Sequence, residues 1–329
     1  VARDWLHDAD AQADLGIAFG VNHRTAEAKA AFLQALKLRP DHLLAHLKLG
    51  ELTRGQGDLD QAASWYRKAF TLSPGSAVAM TGLAYCRMEQ GDRPGAEALF
   101  SQALAMDPDH GDAHYGLAHL LLQAERYSVA ARHLEALLTE NPGDDEARAS
   151  LMYALTRGGD WDRLAPHLAS LPTLGTTGRP ITPFATIALD DDPSRALVRA
   201  QSYAQARFAG LERAQIPAKP IRPARLTVGF FSADFHDHAT MFLMAGLFEH
   251  LDRDRFAPVL LSYGPEKSDG MRARLQATGI PFHDVRGLAD ADLAAYARAQ
   301  DLDIAIDLKG HTQGGRLAPF ALGVAPVQI

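Results

Sequence analysis

The sequence holds a single cysteine, Cys86, among 329 residues. One thiol cannot close a disulfide within the chain or build a cysteine zinc site. Its place in a helical pattern reads as a buried thiol rather than a nucleophile. Long apolar runs are missing too: none approaches the roughly 18 residues a membrane span needs. The opening VARDWLHDAD lacks a basic head followed by an apolar stretch, so no signal peptide is expected. Positive charge is not in excess, with 33 Lys and Arg against 40 Asp and Glu and a net charge of −7. That balance argues against a nucleic-acid binder, which shows a basic face. The short basic run of Lys219, Arg222 and Arg225 lies among prolines and reads as a solvated linker. No GxGxxG or P-loop pattern occurs, which disfavours a dinucleotide enzyme. These absences point to a cytoplasmic protein that engages neither membrane nor nucleic acid. The composition, 47% hydrophobic and 22% charged, is that of a globular chain with room for two or three domains.

What is present is a period. Pro40, Pro74, Pro108 and Pro142 stand 34 residues apart, which is the tetratricopeptide spacing. Counting each unit so that its proline is position 32, position 20 holds Ala28, Ala62, Ala96 and Ala130. Position 24 holds Phe32, Tyr66, Phe100 and Leu134. Position 7 is Leu15, Leu49, Leu83 and Leu117, and position 8 is Gly16, Gly50, Ala84 and Ala118. Small residues at 8 and 20 let paired helices approach; large ones at 24 fill the space between units. A degenerate fifth unit over Asp145 to Pro172 keeps Leu151, Leu155, Trp161 and Leu164, so the solenoid is expected over residues 1–172. Solenoids of this kind bind peptides along the face lined by first-helix side chains, or serve only as rods. His110, His114 and His119 lie close together on or before one first helix. They read as surface or groove histidines, since no cysteine or carboxylate completes a metal set.

From 173 to 225 the period stops and prolines gather. One helix is expected here after the cap Asp192 and Pro193, with Ala196, Leu197, Ala200, Tyr203 and Ala204 as its packed face. The region reads as a packed connector. From 226 to 329 strands and helices alternate. LTVGFFSA, APVLLSY, PFHDV and DIAIDLKG read as strands, with helices over about 241–251, 270–278 and 289–300, and PVQI opens a further strand. This is a Rossmann-like α/β domain of doubly wound type. The chain stops in mid-pattern and is expected to be a fragment.

In such sheets ligands bind beyond the carboxyl ends of the strands. Two stretches fall there, SADFHDHAT after the first strand and DLKGHTQGG after the fourth. In the first, Asp234, His236, Asp237 and His238 crowd before a helix. Histidine can act there as a base or donate to an anionic oxygen. The helix amino end near Ala239 and Thr240 offers N–H groups to a phosphate or sugar oxygen. A metal set of Asp234, His236 and His238, or a plain capping loop, are the alternatives. In the second, Asp307 ends a buried strand, Lys309 can pair with phosphate or with Asp307, and His311 and Thr312 offer hydrogen bonds. Gly310, Gly314 and Gly315 allow close backbone approach.

These residues carry a resemblance. LTVGFFSADFHDHAT at 226–240 and DIAIDLKGHTQGGRLAPFALGVAPVQI at 303–329, behind 34-residue repeats, resemble the O-linked N-acetylglucosamine transferase family. The resemblance implies repeats followed by the first half of a GT-B glycosyltransferase, with the C-terminal catalytic half lying beyond Ile329. It implies transfer of a sugar from UDP-GlcNAc to serine or threonine hydroxyls of proteins, with inversion and no essential metal or cofactor. It places His238 and Asp307 in catalysis, and Lys309, Gly310, His311, Thr312 and Thr240 in donor or acceptor binding. It also implies that residues 1–329 alone bind donor poorly and are inactive. A sister specificity for GDP-fucose or a glucosyl donor, and a non-catalytic scaffold, stay open. Two departures stand out. Ala239 replaces the family's proline after the histidine. The groove has no asparagine ladder: position 6 is Asp14, Lys48, Gly82 and Gly116, and position 9 is Ile17, Glu51, Tyr85 and His119. An asparagine amide can bind peptide backbone whatever its sequence; this groove cannot do so in that way.

Overall fold

The computed structural model describes residues 7–22, 24–217, 225–312 and 314–329. VARDWL, Lys219, Pro220, Arg222 and Pro223 of the linker, and Gln313 of the second loop lie outside them. The chain forms two compact units, Val1–Leu174 and Gly175–Ile329.

The first unit is a row of antiparallel helix pairs: α1 (Ala9–Val21) with α2 (Thr25–Leu38), α3 (Leu43–Gly55) with α4 (Leu59–Leu72), and α5 (Ala77–Glu89) with α6 (Arg93–Met106). They are followed by α7 (Gly111–Gln123) with α8 (Tyr127–Glu140), then α9 (Asp145–Gly158) with the short α10 (Trp161–Leu164). Local chemistry sets the breaks. The carboxylates of Asp58, Asp92 and Asp144 and the Ser76 hydroxyl each accept a backbone N–H in the first turn of the helix they precede. Between the two helices of a pair, Gly57, Gly91 and Gly159 take positive φ, and at the same place the fourth repeat uses Glu125 with φ 58°. Glu125 carries the side-chain strain that the glycines avoid.

The position-24 rings hold neighbouring repeats together. A Cβ on Gly16 would lie 2.7 Å from Phe32, and one on Gly50 2.8 Å from Tyr66. The next repeat closes on the same ring: a Cβ at Gly82 would lie 2.3 Å from Tyr66, and one at Gly116 2.3 Å from Phe100. Each ring is buried, a gain of about 1.5–3 kcal/mol. So position 6, the place of a ladder asparagine, is in two repeats a packing glycine. A second joint is polar. Position 4 reaches back to the carbonyl of the preceding repeat's proline: His46 to Pro40 at 2.9 Å, His114 to Pro108 at 2.8 Å, and Arg148 to Pro142 at 2.5 Å. The His114 ring also meets His133 (Nδ1···Nδ1 2.9 Å), and Arg148 meets His167. His114 is therefore a structural staple. His119 pairs with Gln123. In the fifth unit Leu151, Leu155 and Leu164 are buried as expected, but Trp161 is 60% exposed, because α10 is too short to fold its ring under a following repeat.

In the second unit, α11 (Pro193–Phe208) starts as expected, with the Asp192 carboxylate accepting the N–H groups of Ser194 and Arg195. Its expected apolar face is not buried: Ala196, Leu197 and Ala204 are exposed. The buried side chain is Arg199, 1% exposed, whose guanidinium meets Asp190 at 2.6 Å. An ion pair, not an apolar stripe, seats this helix.

Five parallel strands follow: β1 (Leu226–Ser232), β2 (Phe256–Ser262), β3 (Phe282–Asp284), β4 (Ile304–Asp307) and β5 (Val327–Gln328). Their order is β3-β2-β1-β4-β5, so the strand sequence reverses direction between β1 and β4. Alternation along β1 splits the core. Val228 and Phe230 pack with Met241, Ala245 and Phe248 of α12 (Ala239–His250) and with Met271 and Leu275 of α13 (Gly270–Ala277). Phe231 faces the other way, onto Leu293, Ala294 and Ala297 of α14 (Asp290–Ala299). The short α15 (Ala318–Leu322) adds Phe320 against Phe231. No helix among the described residues is long and apolar enough to cross a membrane.

Candidate active site at the strand reversal

The strand reversal opens a crevice beyond the carboxyl ends of β1 and β4, the usual ligand position in an open α/β sheet. Phe231 and Asp307 are register partners there, so the two loops predicted from sequence emerge side by side. A buried ion pair ties them. Lys309 Nζ donates to both carboxylate oxygens of Asp234, at 2.9 and 2.8 Å, and the two side chains are only 10% and 6% exposed. Lys309 thus makes its direct ion pair with Asp234, and Asp307 feels its charge only at a distance. What Asp307 receives is backbone: the N–H groups of Lys309 and Gly310, each at 2.9 Å. Burial raises the Asp307 carboxyl above its ordinary range, and these two N–H groups hold it back. Gly310 takes φ 56°, and a Cβ on Gly315 would lie 2.3 Å from the Gly310 carbonyl, so this loop folds back tightly on itself. The Thr312 hydroxyl closes the turn by donating to the Lys309 carbonyl at 2.6 Å.

On the other loop His238 caps α12. Its Nδ1 accepts the Thr240 N–H at 3.2 Å, lies 3.1 Å from the Thr240 hydroxyl, and sits 3.4 Å from Asp234. With Nδ1 accepting, the neutral ring carries its proton on Nε2. Nε2 is then a donor, suited to an anionic or carbonyl oxygen. This cap also corrects the expectation of open N–H groups at the helix start. Thr240 gives its N–H to the ring, and Met241 and Phe242 give theirs to the His238 carbonyl. In the first turn only Ala239 keeps an N–H without a partner among the described residues. The loop is pinned from below: Asp237 accepts the Met271 N–H and gives its own N–H to Asp269, both at 3.0 Å.

His311 lies on the second loop with no hydrogen bond to its ring among the described residues. Burial lowers its pKa, partly offset by Asp307. His236 meets the His238 ring edge-on at 5.8 Å. No group of three or more His, Cys, Asp or Glu placed to hold a metal ion occurs among the described residues. The structure therefore brings Asp307, Lys309, Gly310, His311 and Thr312 together with His238 and Thr240 at one crevice. It adds members beyond the expected site residues. Asp234, named above in the first loop and in its metal alternative, is the hub that ties the two loops together. Tyr263, just after β2, is 8% exposed, and its hydroxyl has no hydrogen-bond partner among the described residues. Burial raises its pKa, and Asp307 and Asp234 add to the rise. Arg316 anchors the far end of the second loop to Asp290 and the Leu288 carbonyl. Only strand register puts residues 75 apart in contact, so no local signal could have found the Asp234–Lys309 pair.

Comparison with known proteins agrees with this division. Residues 213–329 match glycosyl transferase family 41, and residues 13–77, 81–145 and 115–163 match tetratricopeptide repeats. The probable UDP-N-acetylglucosamine–peptide N-acetylglucosaminyltransferase SEC of Arabidopsis thaliana is 29% identical over 160 residues, covering 45% of this chain and 16% of that relative. The UDP-N-acetylglucosamine–peptide N-acetylglucosaminyltransferase of Caenorhabditis elegans is 32% identical over 106 residues, 32% of this chain and 9% of that relative. The chain thus matches less than a fifth of the length of either. The solved structure of an O-GlcNAc transferase from Thermobaculum terrenum overlies 87% of this chain and 49% of that chain, at 24% identity and a TM-score of 0.48.

Proposed function

We propose, starting from a chain that joins tetratricopeptide repeats to a glycosyl transferase family 41 domain, that the protein transfers N-acetylglucosamine from UDP-GlcNAc to serine or threonine hydroxyls of protein acceptors, with inversion and no essential metal. The observation that carries this reading is the crevice at the strand reversal, where one buried ion pair locks two polar loops against each other. In the proposed step the acceptor oxygen attacks the anomeric carbon from the face opposite the diphosphate. The bond from that carbon to the phosphate oxygen breaks, and UDP leaves with the electron pair. The hydroxyl proton passes toward Asp307, whose raised pKa suits an eventual proton acceptor. His238 donates through Nε2 to an anionic oxygen, a contribution that grows as charge develops. Gly310, His311 and Thr312 shape the acceptor or donor contact. Lys309 acts through the fold of its loop, since its charge is engaged by Asp234. The repeats bind the acceptor by side chains at first-helix positions such as Glu51, Tyr85 and His119 rather than by an asparagine ladder, which favours selective over general peptide recognition.

The test is calorimetric titration of the natural full-length protein with UDP, GDP, UDP-GlcNAc and GDP-fucose, followed by turnover in EDTA. Uridine-selective binding with chelator-resistant transfer is expected. Guanosine selectivity would move the reading to a fucosyl donor, and no binding at all would leave a scaffold. In the enzyme, His238→Ala should lower turnover about 100-fold with little change in melting temperature. Unchanged turnover would remove His238 from the mechanism.

A further inference from the structure

We propose that Tyr203, on the connector helix α11, is a positioning residue for His311, so that the candidate site extends beyond the family-matched stretch 213–329 into the chain before it. The inference rests on the crevice read above as the active site. The His311 ring meets Tyr203 edge to face, with centroids 5.5 Å apart and planes at 82°. Aromatic pairs favour this geometry, and it fixes a ring's direction without consuming its nitrogens. That matters because the His311 loop cannot fix the ring itself. Gly310 and Gly314 on either side take positive φ, and the ring nitrogens have no partner among the described residues.

The helix that presents Tyr203 is held against rotation. Arg199 lies one turn before Tyr203, on the same helix face. Its buried guanidinium meets Asp190, whose side chain is 3% exposed and which also takes Arg195 at 2.6 Å. A Cβ on Gly175 would lie 2.5 Å from Ile181, so the chain passing Arg199 has no slack. Turning α11 would strip a buried charge of its partner, which is strongly unfavourable. The ion pair sets the helix, the helix aims Tyr203, and Tyr203 sets the His311 ring. The charged group facing His311 is Asp307.

The test is carbon-edited NMR of histidine-labelled full-length protein, with the His311 ring assigned through His311→Asn. Tyr203→Leu should shift the His311 ring resonance by removing the ring current, and should raise its titration midpoint toward the ordinary histidine value as burial is lost. Tyr203→Phe should preserve both, and Arg199→Met should move the same resonance. The His283 ring, bonded to the Tyr296 hydroxyl, should stay put in all three and so report an intact sheet. With a transfer assay, Tyr203→Leu should lower kcat about 10-fold and Tyr203→Phe restore it. A His311 resonance and midpoint untouched by Tyr203→Leu, or Tyr203→Phe behaving like Tyr203→Leu, would overturn the proposal. Absence of transfer by the unaltered protein would count against the functional reading alone, because the NMR result does not depend on turnover.

Discussion

The two units of this chain solve the same problem, burying apolar surface, over different distances along the sequence. In the repeats every important contact is made with a neighbour: Gly116 closes on Phe100, sixteen residues away, and His114 on Pro108, six away. In the sheet unit the decisive contact joins Asp234 to Lys309 across 75 residues. The first arrangement makes each joint a variation on one theme, so a fault stays local. The second concentrates dependence in a few long-range pairs, and those pairs line the candidate site.

Breaking Lys309 should give the largest effect. Lys309→Met leaves a buried carboxylate without its partner, a cost of about 3–5 kcal/mol seen in urea unfolding of the sheet unit. Adding Asp234→Leu should recover most of that stability while donor binding stays lost; equal losses in single and double variants would mean the pair is not coupled. On the repeat side, Gly116→Asn forces a side chain into the Phe100 ring and should cost about 1–3 kcal/mol, relieved by Phe100→Leu. The same ladder residue in the second repeat, Lys48→Asn, should change stability by no more than about 0.5 kcal/mol. If both asparagines were equally tolerated, the packing role of position 6 would be wrong.

Acid gives the smallest and broadest contrast. Burial lowers the pKa of His119, His133 and His167 in the repeats but, in the sheet unit, only that of His311 among those shifted. Each folded value lies below the ordinary histidine value of 6.5, so the unfolded chain takes up protons first. Their stability contribution is intact above that value and is lost as pH falls from it toward the folded value. Hydrogen exchange should therefore quicken in the repeats before the sheet as pH falls below about 6.5. Simultaneous loosening would refute the assignment.

The repeats were legible because their contacts recur at fixed spacing; four prolines and the rings at position 24 sufficed. The two site loops were legible because strand ends are predictable and both carry histidine and glycine. Three things were not. Arg199 was hidden because the apolar positions around it suggested a packed face, whereas the helix is seated by an ion pair with Asp190. The true partner of Lys309 depended on register between β1 and β4. The occupied N–H groups at the start of α12 depended on the rotamer of His238, which no spacing encodes.

The proline-carbonyl staple gives the solenoid an uneven elasticity. Three of its joints are riveted by a cationic or ring N–H group at position 4, from His46, His114 and Arg148. The joint after Pro74 has Met80 there, a thioether that cannot donate a hydrogen bond. Side chains hold that joint instead: Arg54 pairs with Glu89, and the Gln90 amide donates to Asp60 at 2.9 Å. That joint should therefore loosen with salt more than its neighbours, because screening weakens a partly exposed ion pair and spares a proline-carbonyl hydrogen bond.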